Sequence, residues 1–418
     1  MLQNKNKIWL WLIIAISVFL YFVANFQRLV IPGSVFDILE QEMSVTAPYI
    51  TAFGTIFMFV YAISQLIIGV LVDKYGGIRV MGVGAILLTL GCIIFPLTSD
   101  LNLMYFSRAL IGIGSGSFYL SLIREFKNIF SENTYGIAIS VMLFIGYAGG
   151  VFAGAPFVVA MKYLPWREIL LILAFVIAIL TVLYMISLPR FVLPAINKSV
   201  KLRILPFRLV LHKKHNRNLF SFACCNFGIS YVIQTIIGKK FLEDFCQCSS
   251  ARAALIVSTM AIVAACFNVI NASFCKLCHN HRVIFLKSAS VVTFLILSII
   301  CILILFDVKT MGIGVLFCIL AGNASLSSLL VPVLFLSNRK MISVTAVSIM
   351  NFSFFMMVAI LGTLTGFILH LFDPMRVNGI LIYSNNSYLV LFLTFWILSL
   401  FEIYKAMKLY TMYVSGAW

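Results

Sequence analysis

Gly69-Val70-Leu71-Val72-Asp73-Lys74-Tyr75-Gly76-Gly77-Ile78-Arg79 is a short polar interruption between two long apolar runs, 46–72 and 79–98. Each run carries the roughly 20 apolar residues that a helix needs to cross the hydrocarbon of a bilayer. Paired glycines and charged residues between them mark a tight turn at the membrane surface. The same alternation recurs along the whole chain. Spanning helices are expected near 9–38, 46–72, 79–98, 103–123, 135–161, 168–189, 218–238, 253–274, 283–305, 311–336, 343–371 and 387–404. Pro32–Gly33 should kink the first of them.

Composition agrees with this reading. Of 418 residues, 62% are hydrophobic and only 10% charged, against about a quarter charged in a soluble domain. Such a chain has too little polar surface to face water all round, so the bilayer is its solvent. No hydrophilic domain of enzyme size is left over. Lys5 and Lys7 before an apolar run resemble a signal peptide. That run outlasts an h-region of about 7–15 residues and no cleavage site follows, so an uncleaved first helix is expected. The ten cysteines are scattered, several in apolar runs, such as Cys92, Cys266, Cys301 and Cys318. They read as small hydrophobes, with no disulfide framework.

The net charge of +17 is a topology signal rather than the footprint of a nucleic acid, since no basic face with interleaved aromatics is visible. Twelve spans put both termini on one side. Twenty of the 30 basic residues fall on that side or in the central loop. The opposite loops hold Lys162, Arg167, Lys239, Lys240, Arg252, Lys309 and Arg376. Both termini and the central loop are therefore expected in the cytoplasm, with the chain in a bacterial inner membrane. The expected organisation is a six-helix bundle over 1–189, a basic loop over 190–217 and a second six-helix bundle over 218–418. Two such halves suggest a parallel repeat.

The opening turn resembles the signature G-x-x-x-D-[RK]-x-G-[GR]-x-[RK] of the major facilitator superfamily. Three other stretches are similar to elements of that family: Tyr61-Ala-Ile-Ser-Gln65, Arg108-Ala-Leu-Ile-Gly112-Ile-Gly114-Ser-Gly116, and the pair Trp166–Arg167. The resemblance implies an all-α membrane protein of twelve transmembrane helices in two six-helix bundles, the major facilitator fold. It implies a solute transporter that works as a monomer in lipid, without a cofactor, by rocking around a midplane cavity. In the gating network that it implies, Gly69 lets another helix approach, and Gly76 and Gly77 shape the turn. The Asp73 carboxylate faces the N-terminus of the eleventh helix, where anions are favoured, and Lys74 and Arg79 complete the latch. A shift of 202 residues sets Cys275–Lys276 against Asp73–Lys74, so the latch is expected once.

Charge inside a membrane span is costly and marks function by default. Arg28 lies well inside the first helix and Arg108 in the fourth. The resemblance places a basic residue of the first helix in the cavity of organic-anion transporters. No Asp or Glu is expected in the core of any helix, so a solute with a carboxylate or phosphate should meet the guanidinium. Tyr61, Gln65, Asn226, Tyr231, Gln234, Asn323 and Asn351 are the polar residues expected to bind the rest of it. Together they suit a small anionic or zwitterionic nutrient: an amino acid, a hydroxy acid or a polycarboxylate siderophore. The resemblance implies import coupled to a proton, with facilitated diffusion or exchange as the alternative. Asp37, Glu40, Glu42 and His370, at or beyond helix ends, are weak candidates to carry that proton.

The alternative is efflux of a drug or metabolite by proton antiport. Its fifth-helix G-P-x-x-G-G element is replaced here by Gly146-Tyr-Ala-Gly149-Gly150-Val-Phe-Ala-Gly154-Ala-Pro156. An enzyme is not expected, since neither G-x-S-x-G nor H-E-x-x-H occurs. Cys275-Lys-Leu-Cys278-His279-Asn-His281 has the spacing of haem or zinc ligands but reads as a loop between helices, so no metal is expected.

Overall fold

The computed structural model describes residues 4–130, 132–190, 205–277, 282–338, 340–377 and 380–415. The first half runs α1 (Asn4–Leu29), a π-helical turn (Val30–Ser34), α2 (Phe36–Met43), α3 (Ala47–Tyr75), α4 (Gly77–Leu97), α5 (Leu101–Ile129), α6 (Glu132–Ala153), α7 (Ala155–Ala160) and α8 (Trp166–Ser187). The second runs α9 (Leu205–His212), α10 (Lys214–Val232), a π-helical turn (Ile233–Ile237), α11 (Gly238–Asp244), α12 (Ser250–Leu277) and α13 (Arg282–Leu305). It continues with α14 (Gly312–Asn323), α15 (Ser327–Ser337), α16 (Lys340–His370), strands β1 (Met375–Val377) and β2 (Ile380–Ile382), and α17 (Asn385–Val414). Among the described residues, 11 helices are long and apolar enough to cross a membrane, and Gly312–Asn323 is a shorter apolar one. This is a multi-pass, all-α membrane protein. Large apolar side chains such as Phe144, Phe175 and Ile397 are largely exposed on it, as a lipid-facing surface requires.

Several expected helices are broken or longer than composition suggested. The first gives way after Leu29 to the π-helical turn that contains Pro32–Gly33, and α2 starts afresh at Phe36. The tenth splits into α14 and α15 around Ala324–Leu326. A break in a span is tolerated where protein partners satisfy the freed backbone, and here Asn271 Nδ2 donates to Ser325 O at 2.8 Å. The seventh passes through a π-helical turn into α11, so Lys239 and Lys240 lie inside a helix rather than in an outer loop. The fourth and twelfth run on to Ile129 and Val414. The loop before α17 carries an antiparallel hairpin, with Met375 opposite Ile382.

By contacts the chain forms two compact units: Met1–Ile31 with Ile56–Leu202, and Pro32–Thr55 with Arg203–Trp418. The tightest packing in the first unit is α4 against α5. A Cβ on Gly114 would lie 2.6 Å from both Gly84 O and Leu88 N, so only glycine allows those backbones to touch. Asp100 caps α5, its Oδ1 accepting from Leu103 N at 2.8 Å. Arg167 donates to Pro96 O (2.9 Å) and Thr98 O (2.7 Å) at the end of α4, with Trp166 under its guanidinium. The second unit is built on an apolar cluster that includes Phe222, Cys225, Leu286, Leu334, Met350 and Leu409.

Candidate functional site

In the first unit the last turn of α1 brings Arg28 against α3. Its guanidinium lies 4.7 Å from the centre of the Tyr61 ring and 6.0 Å from that of Phe57, and those two rings stack with 13° between their planes. Such cation–π contacts strengthen away from water, and Arg28 is only 7% exposed. Arg108, on α5, is wholly buried. It lies 4.9 Å from the Phe57 ring and its Nη1 donates to Gln27 O at 2.8 Å. That carbonyl belongs to the last turn of α1, where intrahelical donors run out and a cation is favoured. Arg108 thus holds the backbone next to Arg28. Gln65 Nε2 donates to Gly116 O at 3.0 Å and ties α3 to α5.

The turn between α3 and α4 is built around its two glycines. Gly76 has φ +85° and donates to Val72 O at 3.0 Å, a backbone that side chains disfavour. Gly77 N donates to Glu125 Oε1 at 2.7 Å, and a Cβ there would collide with Ser121 O and Glu125 of α5. A carboxylate at the first turn of α4 also suits that helix's dipole. Arg79 Nη1 donates to Tyr75 O at 2.8 Å and Lys74 lies over the Tyr75 ring. Gly69 lies on α3, half-buried. The Asp73 side chain falls outside the described residues, as do Cys278–His281 and the central loop from 191 to 204.

Sequence reading placed no acid in the core of a helix, and this needs correction. Glu125 is buried on α5, which continues past its expected end at 123, and Glu402 is buried on α17 within the expected span 387–404, which runs on to Val414. In the second unit Glu402 Oε1 accepts from Asn226 Nδ2 at 2.9 Å. Asn226 and Asn323 meet on Thr293 Oγ1, at 3.1 and 2.9 Å. This network joins α10, α13, α14 and α17. Tyr231 stacks instead on Phe227 at 4.7 Å, Gln234 is buried in the second π-helical turn, and Asn351 is half-buried on α16.

A second constellation brings together residues that sequence alone keeps apart: Asp37 and Glu40, the weak proton-carrier candidates, and Lys239 and Lys240, expected in an outer loop. Lys239 and Lys240 of α11 are 6% and 1% exposed. Lys240 Nζ pairs with Asp37 Oδ1 (2.5 Å) and Asp244 Oδ1 (3.1 Å) and donates to Leu381 O (2.6 Å). Lys239 pairs with Glu243 at 2.8 Å and reaches Asp37 Oδ2 at 4.0 Å. Tyr388 OH and Tyr383 N both donate to Asp244 Oδ2, at 2.7 and 3.0 Å. Burial alone would push the Asp37 carboxyl up, but Lys240 and Lys239 outweigh it and hold it below its ordinary value. The signal in the sequence was the pair of four-residue spacings, Lys239–Glu243 and Lys240–Asp244, which put opposite charges on one helix face.

The sequence profile described as Major Facilitator Superfamily matches residues 14–363. A curated relative, the "Probable sulfoacetate transporter SauU" of Cupriavidus necator, is 22% identical over 173 residues, 41% of this chain. The match spans only 40% of that relative's own length. Among solved structures, a bacterial homologue of the human lysosomal transporter Spinster, inward-facing and unoccupied, superposes with a TM-score of 0.72 at 13% identity, covering 98% of this chain and 99% of that one. The nucleoside transporter NupG gives 0.69 at 15% identity, over 94% of this chain and 99% of that one. A POT family transporter in complex with 5-aminolevulinic acid gives 0.72 at 13%, over 96% of each chain. At such identities these likenesses concern the fold alone.

Proposed function

Because this chain belongs to the major facilitator superfamily, we propose that it is a secondary transporter that imports a small organic anion or zwitterion by alternating access, coupled to a proton. The observation that carries this reading is Arg28: a guanidinium in the last turn of a spanning helix, laid on the face of Tyr61 and shielded from water. A planar fork in a low-dielectric setting recognises a carboxylate, sulfonate or phosphate through two parallel hydrogen bonds. The name of the C. necator relative, with its sulfonate and carboxylate substrate, supports the same class. Arg28 binds the anion, Tyr61 presents the ring that orients it, and Arg108 positions the backbone of α1. Tyr231, Gln234 and Asn351 are the candidates for the neutral part of the solute, whereas Asn226 and Asn323 are engaged with Glu402 and Thr293. The excess of bases on one side supports a bacterial inner membrane with both termini and the 190–217 loop in the cytoplasm.

Thermal stabilisation of the purified protein by a panel of sulfonates, carboxylates, amino acids, sugars and lipophilic cations tests the substrate class. A ligand at 100 times its dissociation constant stabilises by about 2.7 kcal/mol if it binds only the folded state. Carboxylates or sulfonates are expected to give that shift. A response confined to lipophilic cations would replace import with efflux. In the same reading Asp73, with Lys74 and Arg79, latches one access state. Asp73→Asn should leave that ligand's stabilisation intact and slow its exchange in proteoliposomes; exchange at the normal rate would remove the latch.

A further inference from the structure

Four carboxylates and two ammonium groups share one patch of the second unit: Asp37 and Glu40 of α2, and Lys239, Lys240, Glu243 and Asp244 of α11. With every group ionised, acids outnumber bases by two. Buried charge of one sign in excess is costly, and a bound proton relieves it. The hydrogen bonds indicate where that proton belongs. Lys240 is committed to Asp37, Asp244 and Leu381 O, and Lys239 to Glu243 and Asp37. Asp244 is also held by Tyr383 N and Tyr388 OH. The second oxygen of Glu243 is buried without a partner, but its first is paired with an ammonium.

Glu40 is different. It is 2% exposed, and neither lysine of the patch forms a salt bridge to it. Among the described residues its one donor is Tyr383, whose OH accepts from Ala47 N at 2.9 Å and so directs its proton at Glu40 Oε1, 2.5 Å away. Glu40 Oε2 is buried and meets no donor among the described residues. As a carboxylate, Glu40 would be the most poorly solvated anion of the patch. As a carboxylic acid it fits the same contacts without a net charge.

We propose that Glu40 is the proton-binding carboxyl of this transporter, and that its proton fastens the segment Pro32–Thr55 within the second unit. The inference rests on the proton-coupled reading above. Glu40 on α2, Ala47 at the start of α3 and Tyr383 beside β2 form one hydrogen-bonded clasp. That segment continues covalently into α1 on one side and α3 on the other, the helices that carry Arg28 and Tyr61. Loss of the proton puts a new negative charge beside Asp37 and Asp244; the bond from Tyr383 tightens on it, and the repulsion from the two aspartates is what works against holding α2 there. Burial pushes the Glu40 carboxyl up to about 8, Asp37 and Asp244 act in the same direction, and Tyr383 and Lys240 oppose. For an acid raised in the folded state, the stabilisation is complete below its ordinary value of 4.5, falls as pH rises, and is gone above about 8.

Infrared difference spectra of the purified full chain, recorded on either side of that midpoint, test the site without any substrate. A carboxylic-acid C=O band is expected to vanish in the wild type with a midpoint near 8 and to be absent from Glu40→Gln. No such band in the wild type, or the same band in Glu40→Gln, would overturn the assignment. Tyr383→Phe removes the one donor to the carboxylate and should move the midpoint upward; an unmoved midpoint also counts against it. Uptake of the stabilising ligand that ignores an imposed pH gradient would refute proton coupling alone. Coupled uptake with no titration at Glu40 would refute this site alone.

Discussion

Arg28→Gln is expected to abolish transport of the stabilising anion and leave the protein folded. Glutamine keeps a polar group near the Tyr61 ring but loses both the charge and the two-pronged fork. A hydrogen bond to a charged group contributes about 1.5–3 kcal/mol. Loss of a bidentate pair therefore weakens binding by at least roughly a hundredfold, since each 1.4 kcal/mol is about tenfold. The cost to folding is small, because the variant removes a buried charge along with its cation–π contact, which is worth about 0.5–2 kcal/mol. Arg108→Gln should behave in the opposite way. It strips the donor from Gln27 O at the end of α1, so the ligand-free protein melts earlier, whereas the ligand's own shift survives in part. Melting curves with and without ligand separate the two variants. Unchanged uptake kinetics in Arg28→Gln would remove Arg28 from the binding site.

The contrast between the two arginines shows what the sequence can and cannot carry. The membrane class, the position of most spans and the α3–α4 turn were legible, because a polar interruption in an apolar run has no other physical reading. Helix ends were less so. Arg124–Glu125 looks like the start of a loop, yet α5 continues because Glu125 is satisfied by Gly77 N, an acceptor–donor pair 48 residues apart that composition cannot reveal. The break between α14 and α15 was hidden for another reason: the run Asn323-Ala-Ser-Leu-Ser-Ser328 is short and its small polar residues also occur inside spans, whereas the bond from Asn271 to Ser325 O shows that the carbonyl has left the ladder. The charge patch was the largest omission. Asp37 and Lys240 are 203 residues apart, and two lysines after an apolar run read as a topology marker when burial is unknown. Glu402 lies within two residues of the expected end of its span at 404, where an acid reads as interfacial, and its burial against Asn226 makes Asn226 part of a network rather than a lone ligand.

Lys240→Met is expected to destabilise the protein by about 3–5 kcal/mol, the usual cost of removing one partner from a buried ion pair. Methionine fills a similar volume, so the loss is electrostatic. Asp37 and Asp244 each lose their nearest ammonium, Leu381 O loses its donor, and Lys239, 4.0 Å from Asp37, compensates only in part. The sign of the pH dependence identifies the cause. In the wild type Asp37 is held below its ordinary value, so its contribution is present above the unfolded value and lost as pH falls. Without Lys240 the burial that opposes this prevails, the Asp37 carboxyl rises, and the variant gains stability as pH falls through the new value. The deficit of Lys240→Met relative to wild type should therefore shrink on acidification. Asp37→Asn in the same chain should recover part of it, because contacting residues do not add. Thermal unfolding of the three variants against pH measures both effects. A deficit that is constant with pH and additive with Asp37→Asn would mean that Lys240 acts on Leu381 O and Asp244 alone, and that α2 is held by the Glu40–Tyr383 clasp without help from the lysine.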